Sequence, residues 1–203
     1  MQTKLVLHPS PSKNIIMKKL IVFFAIVLVA FNAKAQPGLK AGVNFATITG
    51  DDAEDVKMRT AFYAGVYYNI MMNQMFSFQP ELVYSSQGAK FKDSENARLI
   101  LNYLNLCALF RYNTQSGFFV GTGPQFGLRL SAKVKDDNTS VDFKDFVKSS
   151  DFSWAFALGY MFQSGFGLYG RYNLGLANIA EDGDIKNSVI SIGFRYDLKN
   201  TKK

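Results

Sequence analysis

Histidine and cysteine are almost missing from this 203-residue chain, which holds one of each, His8 and Cys107. His8 lies upstream of an export segment, so the mature chain is expected to carry no imidazole. That excludes Ser-His-Asp and Cys-His nucleophilic sites and removes the commonest transition-metal ligand. A single cysteine forms no intramolecular disulfide, and the apolar setting of Cys107 in NLCALF predicts a buried, inert thiol. Long hydrophobic runs are missing too. The stretch from Leu20 to Phe31 falls short of the about 20 apolar residues a transmembrane helix needs. No Pro-rich or Ser-rich linker divides residues 36–203, which are read as one domain.

The short run instead has the form of a secretory signal peptide. Lys18 and Lys19 precede it, and Ala33 and Ala35 frame an A-x-A site, which predicts a signal peptide over 17–35 cut between Ala35 and Gln36. Residues 1–16 precede this normal-looking start at Met17 and are read as an over-called start. No cysteine stands directly after the cut, which argues against a lipid-anchored amino terminus. Five of the 23 basic residues (Lys4, Lys13, Lys18, Lys19, Lys34) and none of the 16 acidic ones lie before it. The mature chain is left with 18 against 16, a net charge of +2. The basic balance belongs to the export segment and gives no case for a nucleic-acid partner.

What the mature chain does have is alternation. In GFGLYGRYNLGLANI, Gly165 to Ile179, one face carries Phe166, Leu168, Tyr172, Leu174 and Leu176, and the other Gly167, Tyr169, Arg171, Asn173 and Gly175. The same pattern recurs over Leu39–Ala46, Thr60–Ile70, Phe76–Ser86, Leu99–Tyr112 and Phe118–Leu130, over the stretch from Asp151 to Phe162, and towards Leu198. That makes eight proposed strands, near the 9–11 residues a tilted strand needs to cross a bilayer. Long acid-bearing connections alternate with short turns at Asn73–Gln74, NTQSG and QSG, the longest connection spanning Ser131 to Ser150. The fold expected is all-β, a closed antiparallel up-and-down transmembrane barrel with long extracellular loops and short periplasmic turns.

This reading puts the apolar faces against lipid and the polar faces in the lumen. Glu81, Arg111, Arg129, Asp151, Arg171 and Arg195 all fall on the inner face, where they are expected to pair as a structural charge network, because isolated buried ions are too costly. About eight strands leave an interior that side chains fill, so a plugged barrel is expected. Tyr67, Tyr68, Phe76, Tyr112, Phe118, Phe162, Phe166 and Tyr196 gather at the short-turn rim as an interfacial girdle. Pro80 and Pro124 sit inside proposed strands and predict bulges, since a closed barrel offers no edge to hold them. Asp136, Asp137 and Asp142 are weak Ca²⁺ candidates. They match no D-x-[DN]-x-[DN]-G loop, and solvated acids are the simpler reading, so no cofactor is expected.

The segments PELVYSSQGAK, NYLNLCALFRY, GTGPQFGL and GRYNLGLANI resemble recurring blocks of the outer-membrane β-barrel domain family, the porin-like or PorT-like small barrels of Gram-negative bacteria. The resemblance covers Gln36 to Leu198 and implies an outer-membrane barrel with no family-wide catalytic residues. Cys107 and Asn105 depart from it, standing where such proteins tend to show Pro and an acid. The polar tail NTKK departs as well, weakening the C-terminal assembly signal. The partners implied are outer-membrane lipid, the barrel assembly machinery and a cell-envelope protein of unknown identity. The functional expectation is a non-enzymatic barrel acting through structural or loop-mediated contacts. The alternatives are a narrow channel gated by the inner charges, a barrel enzyme, disfavoured without histidine, and a soluble periplasmic ligand-binding barrel with its faces reversed.

Overall fold

Period-two alternation leaves each segment only one way to bury its polar side chains away from hydrocarbon, and closing the sheet on itself satisfies every ladder at once. The computed structural model describes residues 35–53, 55–92, 97–136 and 139–198. The expected signal peptide, apart from its last residue, Ala35, and the whole NTKK tail lie outside them. The strands are β1 (Ala35–Thr49), β2 (Val56–Met71), β3 (Phe76–Phe91), β4 (Arg98–Asn113), β5 (Phe118–Lys135), β6 (Ser140–Asp142), β7 (Ser150–Met161), β8 (Phe166–Gly175) and β9 (Lys186–Asp197). One 3₁₀ turn, Lys144–Phe146, follows β6. Neighbours pair antiparallel in the order β4-β3-β2-β1-β9-β8-β7-β5-β6, and β4 also pairs with β5. The sheet therefore closes into a barrel of eight strands, with β6 a short addition to β5.

The faces lie as the alternation requires. Leu174 and Ile192 are 39% and 59% exposed on the outside, while Arg171 and Arg195 are 6% and 4% exposed on the inside. A soluble barrel would need the opposite arrangement. Outer-face polar groups are tied down locally: Trp154 Nε1 donates to Thr122 Oγ1 at 2.7 Å, and Thr122 donates on to the Ala155 carbonyl. Six girdle aromatics, Phe76, Tyr112, Phe118, Phe162, Phe166 and Tyr196, are exposed outside near the short turns, and Tyr68, half-buried, shares their face. Tyr67 is a correction. One residue from Tyr68, it points inward and is 1% exposed, because adjacent residues of a strand cannot share a face.

The prolines also correct the expectation. Pro80 pairs with Ala108 inside an unbroken β3–β4 ladder. Towards β2 the pairing lapses between Tyr67↔Glu81 and Ile70↔Phe78 and resumes in the same register. Pro124 behaves alike, pairing with Trp154 in a continuous ladder with β7 and lapsing towards β4 between Cys107↔Gln125 and Phe110↔Thr122. Successive backbone N–H groups of an antiparallel strand point to opposite neighbours, so a proline loses one bond on one side only. A skipped step suffices and no bulge forms. The register shifts lie elsewhere, between Met58 and Tyr63 and at Asn102/Tyr103 opposite Arg129 and Ser131. At the second, Asn102, out of place on an apolar face, donates to Ser131 Oγ at 2.8 Å.

Strands β1 to β5 run beyond their expected ends, and the loop expected over 131–150 contains the end of β5 and all of β6. Conversely, the expected 165–179 strand ends at Gly175. Both departures have one cause. Above the apolar belt a second core forms from Ile48, Ala89, Leu99, Leu101, Tyr103, Ala132, Val147 and Ile179. It rewards longer strands on one side and turns Ile179 inward from the loop on the other.

Candidate functional site

Within the membrane the lumen is organised on Glu81. Its Oε2 accepts from Lys40 Nζ at 2.9 Å and from Arg171 Nη2 at 2.6 Å, and its Oε1 accepts from Gln79 Nε2 at 2.6 Å. Lys40 reaches β3 across β2 because its partner there is Gly65, which has no side chain to intervene. Gln79 then turns its carbonyl to the other cations, accepting from Arg111 Nη1 at 2.5 Å and Arg195 Nη2 at 2.9 Å. Tyr67 donates to Asp197 Oδ1 at 2.5 Å and accepts from Arg195 Nε at 3.2 Å.

This layer brings Lys40, Arg111, Arg171 and Arg195 to two carboxylates, Glu81 and Asp197. The surplus positive charge is met by ring faces. Arg111 lies 3.8 Å from the centre of Phe119, Arg195 4.1 Å from Tyr67, and Lys40 4.6 Å from Tyr169, arrangements in which the ring quadrupole attracts a cation. Little space is left: the cavity among Lys40, Glu81, Phe119, Arg171 and Arg195 measures about 10 Å³, near the minimum for one water molecule.

Of the six residues expected to form the network, four lie in it: Glu81, Arg111, Arg171 and Arg195. The other two lie higher and join no ion pair among the described residues. Asp151 accepts from Asn187 Nδ2 at 3.0 Å. Arg129 donates from Nε to the Lys148 carbonyl and from Nη2 to the Lys144 carbonyl, both at 3.1 Å. Sequence reasoning missed Lys40, Gln79, Tyr67 and Asp197 as members. The signal for Lys40 was available, a lone lysine alternating with Gly42 and Asn44. Cys107 is buried opposite Glu81 on β4.

The mouth on the long-loop side is closed by a folded cap. Val147 and Ala180 form a β-bridge between the β6–β7 and β8–β9 connections. Lys148 N donates to the Ile179 carbonyl at 2.7 Å and Glu181 N to the Phe146 carbonyl at 3.2 Å. Asn178 knots the second loop, donating to the Gly183 carbonyl and accepting from Ala180 N and Ile185 N at 3.0 and 3.2 Å. The β1–β2 loop joins through Asp52, whose Oδ2 accepts from Asp184 N at 2.7 Å. Three of the four long connections thus interlock over the apolar cluster.

Replacing Asn178 by alanine removes all three of its bonds and is expected to ease cap opening by about 1.4 kcal/mol, roughly tenfold in protease cleavage at 176–185, with the barrel's heat resistance unchanged. Limited proteolysis of the folded protein checks this. Of the three weak metal candidates, Asp136 and Asp142 are among the described residues. Asp142 accepts from Lys144 N at 3.0 Å and pairs with Lys144 Nζ at 2.7 Å, contacts that hold its carboxyl below the usual value. Asp137 lies outside the described residues, and among those described no three His, Cys, Asp or Glu side chains come together.

The comparisons with known proteins fit this geometry. The family model described as "Outer membrane protein beta-barrel domain" matches residues 31–181. A search of curated protein sequences finds no match. Among solved structures, Neisserial surface protein A is similar at 15% identity, covering 81% of this chain and 99% of that one, with a TM-score of 0.54. Ail, the attachment invasion locus protein of Yersinia pestis, is 15% identical over 80% of this chain and 98% of its own, TM-score 0.47. OprG from Pseudomonas aeruginosa is 14% identical over 81% and 97%, TM-score 0.43. At such identity the likeness to Neisserial surface protein A speaks for the fold alone. With eight strands closed, an apolar outside, a polar inside and the family model matched over most of its length, this chain belongs to the outer membrane protein β-barrel domain family.

Proposed function

We propose that this protein is a non-enzymatic, non-conducting barrel whose task is to hold the folded cap rigidly at the cell surface, where the cap contacts a cell-envelope or external partner. The observation that carries the reading is the double closure. The lumen is filled around Glu81 down to a cavity of about 10 Å³, and the mouth above it is sealed by the Leu101, Tyr103, Val147 and Ile179 cluster. A conduit needs neither layer. Loops held by a rigid scaffold are where recognition residues belong, and the cap presents Val141 and Phe146, 53% and 62% exposed, to the outside. Assembly into the membrane by the barrel assembly machinery is part of the same proposal, with the outward Tyr196 and Leu198 at the end of β9 as the segment it reads.

Planar bilayer recording of the refolded protein tests the closed lumen. The expected trace shows no discrete steps, and reproducible single-channel steps would favour a gated channel instead. For the cap, crosslinking from a photoreactive residue at position 146 on intact cells is expected to trap one partner, and labelling no richer than from a lipid-facing position would end the loop-contact reading.

A further inference from the structure

The strands that rise above the apolar belt carry a row of like charges in direct register. Lys57 stands opposite Lys90, Lys90 opposite Arg98, and Arg98 opposite Lys135. Four cations thus line up across β2, β3, β4 and β5, over roughly 15 Å at the usual strand spacing. Lys133, two residues below Lys135 and opposite Ile100, shares their face. Lys57, Lys90, Lys133 and Lys135 are exposed and Arg98 is half-buried. Cations directly opposite one another repel and weaken a sheet. Asp55 is taken by Lys92 at 3.3 Å, and Asp142, which stands opposite Lys133 on β6, by Lys144 at 2.7 Å.

The row faces outward, on the lipid side of the wall. Counting by twos down β4 from Arg98 passes Ile100 and Asn102 and arrives at lipid-facing Leu104 and Leu106. On β5, Lys133 follows Leu130, which is 53% exposed. The cations therefore stand just above the hydrocarbon boundary, where lipid head groups lie and where lysine stems can rest on apolar surface while their ammonium groups seek anions. The loop tips beyond them carry exposed Asp51, Asp52, Asp145, Glu181 and Asp182, which repel a polyanion approaching from outside. From this juxtaposition we propose that the Lys57–Lys90–Arg98–Lys135 row, with Lys133, is a binding site for the phosphate groups of outer-leaflet glycolipid, seated against the outer wall of the barrel.

The test uses the full mature barrel folded in detergent, with bisphosphorylated lipid A, its dephosphorylated form and heparin as probes, read by native mass spectrometry. Wild type is expected to retain the phosphorylated lipid at least about tenfold better than the dephosphorylated one, and the variant K57Q/K90Q/R98Q/K135Q to lose that preference. Equal retention of both lipids by wild type, an unchanged preference in the variant, or selection of heparin over the phosphorylated lipid overturns the proposal. Stability supplies a second readout with opposite signs. Without lipid, the variant's unfolding midpoint is expected to rise by about 2–4 °C as repulsion is relieved, and adding phosphorylated lipid is expected to stabilise wild type only. A lower midpoint without lipid would make the row structural and overturn the site. If the fourfold variant does not fold, K57Q/K135Q carries the same comparison, with an intermediate loss of preference expected.

Discussion

Replacing Glu81 by glutamine is expected to destabilise the folded barrel by about 3–5 kcal/mol, the cost of leaving buried cations without their partner. Among the described residues Glu81 is the single carboxylate within reach of Lys40 Nζ and Arg171 Nη2, and the three side chains are between 0 and 4% exposed. Glutamine keeps the volume and removes the charge, so packing is nearly constant and the loss is electrostatic. Urea titration followed by the unboiled-versus-boiled gel shift measures it. Adding Lys40→Met is expected to recover part of the loss by removing one stranded cation, with a double-mutant coupling well above 1 kcal/mol. Additive effects would mean that the Lys40–Glu81 contact contributes nothing in particular to the lumen.

Gly193→Val is expected to prevent closure of the barrel. A Cβ there would lie 2.2 Å from the Tyr63 hydroxyl, 2.3 Å from the Ala41 carbonyl oxygen and 2.9 Å from Gly42 Cα. Two of these are backbone of the paired strand β1, which cannot move without breaking its ladder, so the penalty exceeds the about 1–3 kcal/mol usual for overpacking. Gly170→Val is the matched control. It lies on the outer face, one strand away and opposite Ile192, and its nearest neighbour is the Ser191 carbonyl oxygen at 3.9 Å. That variant is expected to fold with its heat-shifted band intact. Equal behaviour of the two would contradict the assignment of inner and outer faces.

Alternation made the faces legible because a strand has only two, and Arg171, Arg195, Leu174 and Ile192 lie where it puts them. It says nothing of which inner residues meet across the lumen, since that depends on tilt and stagger around the whole barrel. Lys40 and Glu81 stand on strands that are not neighbours, and the glycine that lets them touch is on a third. Arg129, expected in the charge network, serves the carbonyls of Lys144 and Lys148 instead, because those carbonyls come from a loop whose path no periodicity records. Tyr67 was grouped with Tyr68 by height along the strand although parity separates them. The proline bulges failed for a plainer reason: a ladder can skip a step towards one neighbour without changing register on either side.

The central claim is that hydrocarbon meets the Leu, Ile and Phe faces of the cylinder. Moving the chain's one tryptophan to the middle of that face, as W154F/I192W, and reconstituting the protein into bilayers with brominated acyl chains tests it most directly. Strong quenching of the indole by the brominated lipid and almost none by aqueous iodide are expected. Quenching by iodide with indifference to the brominated chains would place Ile192 in water and contradict it.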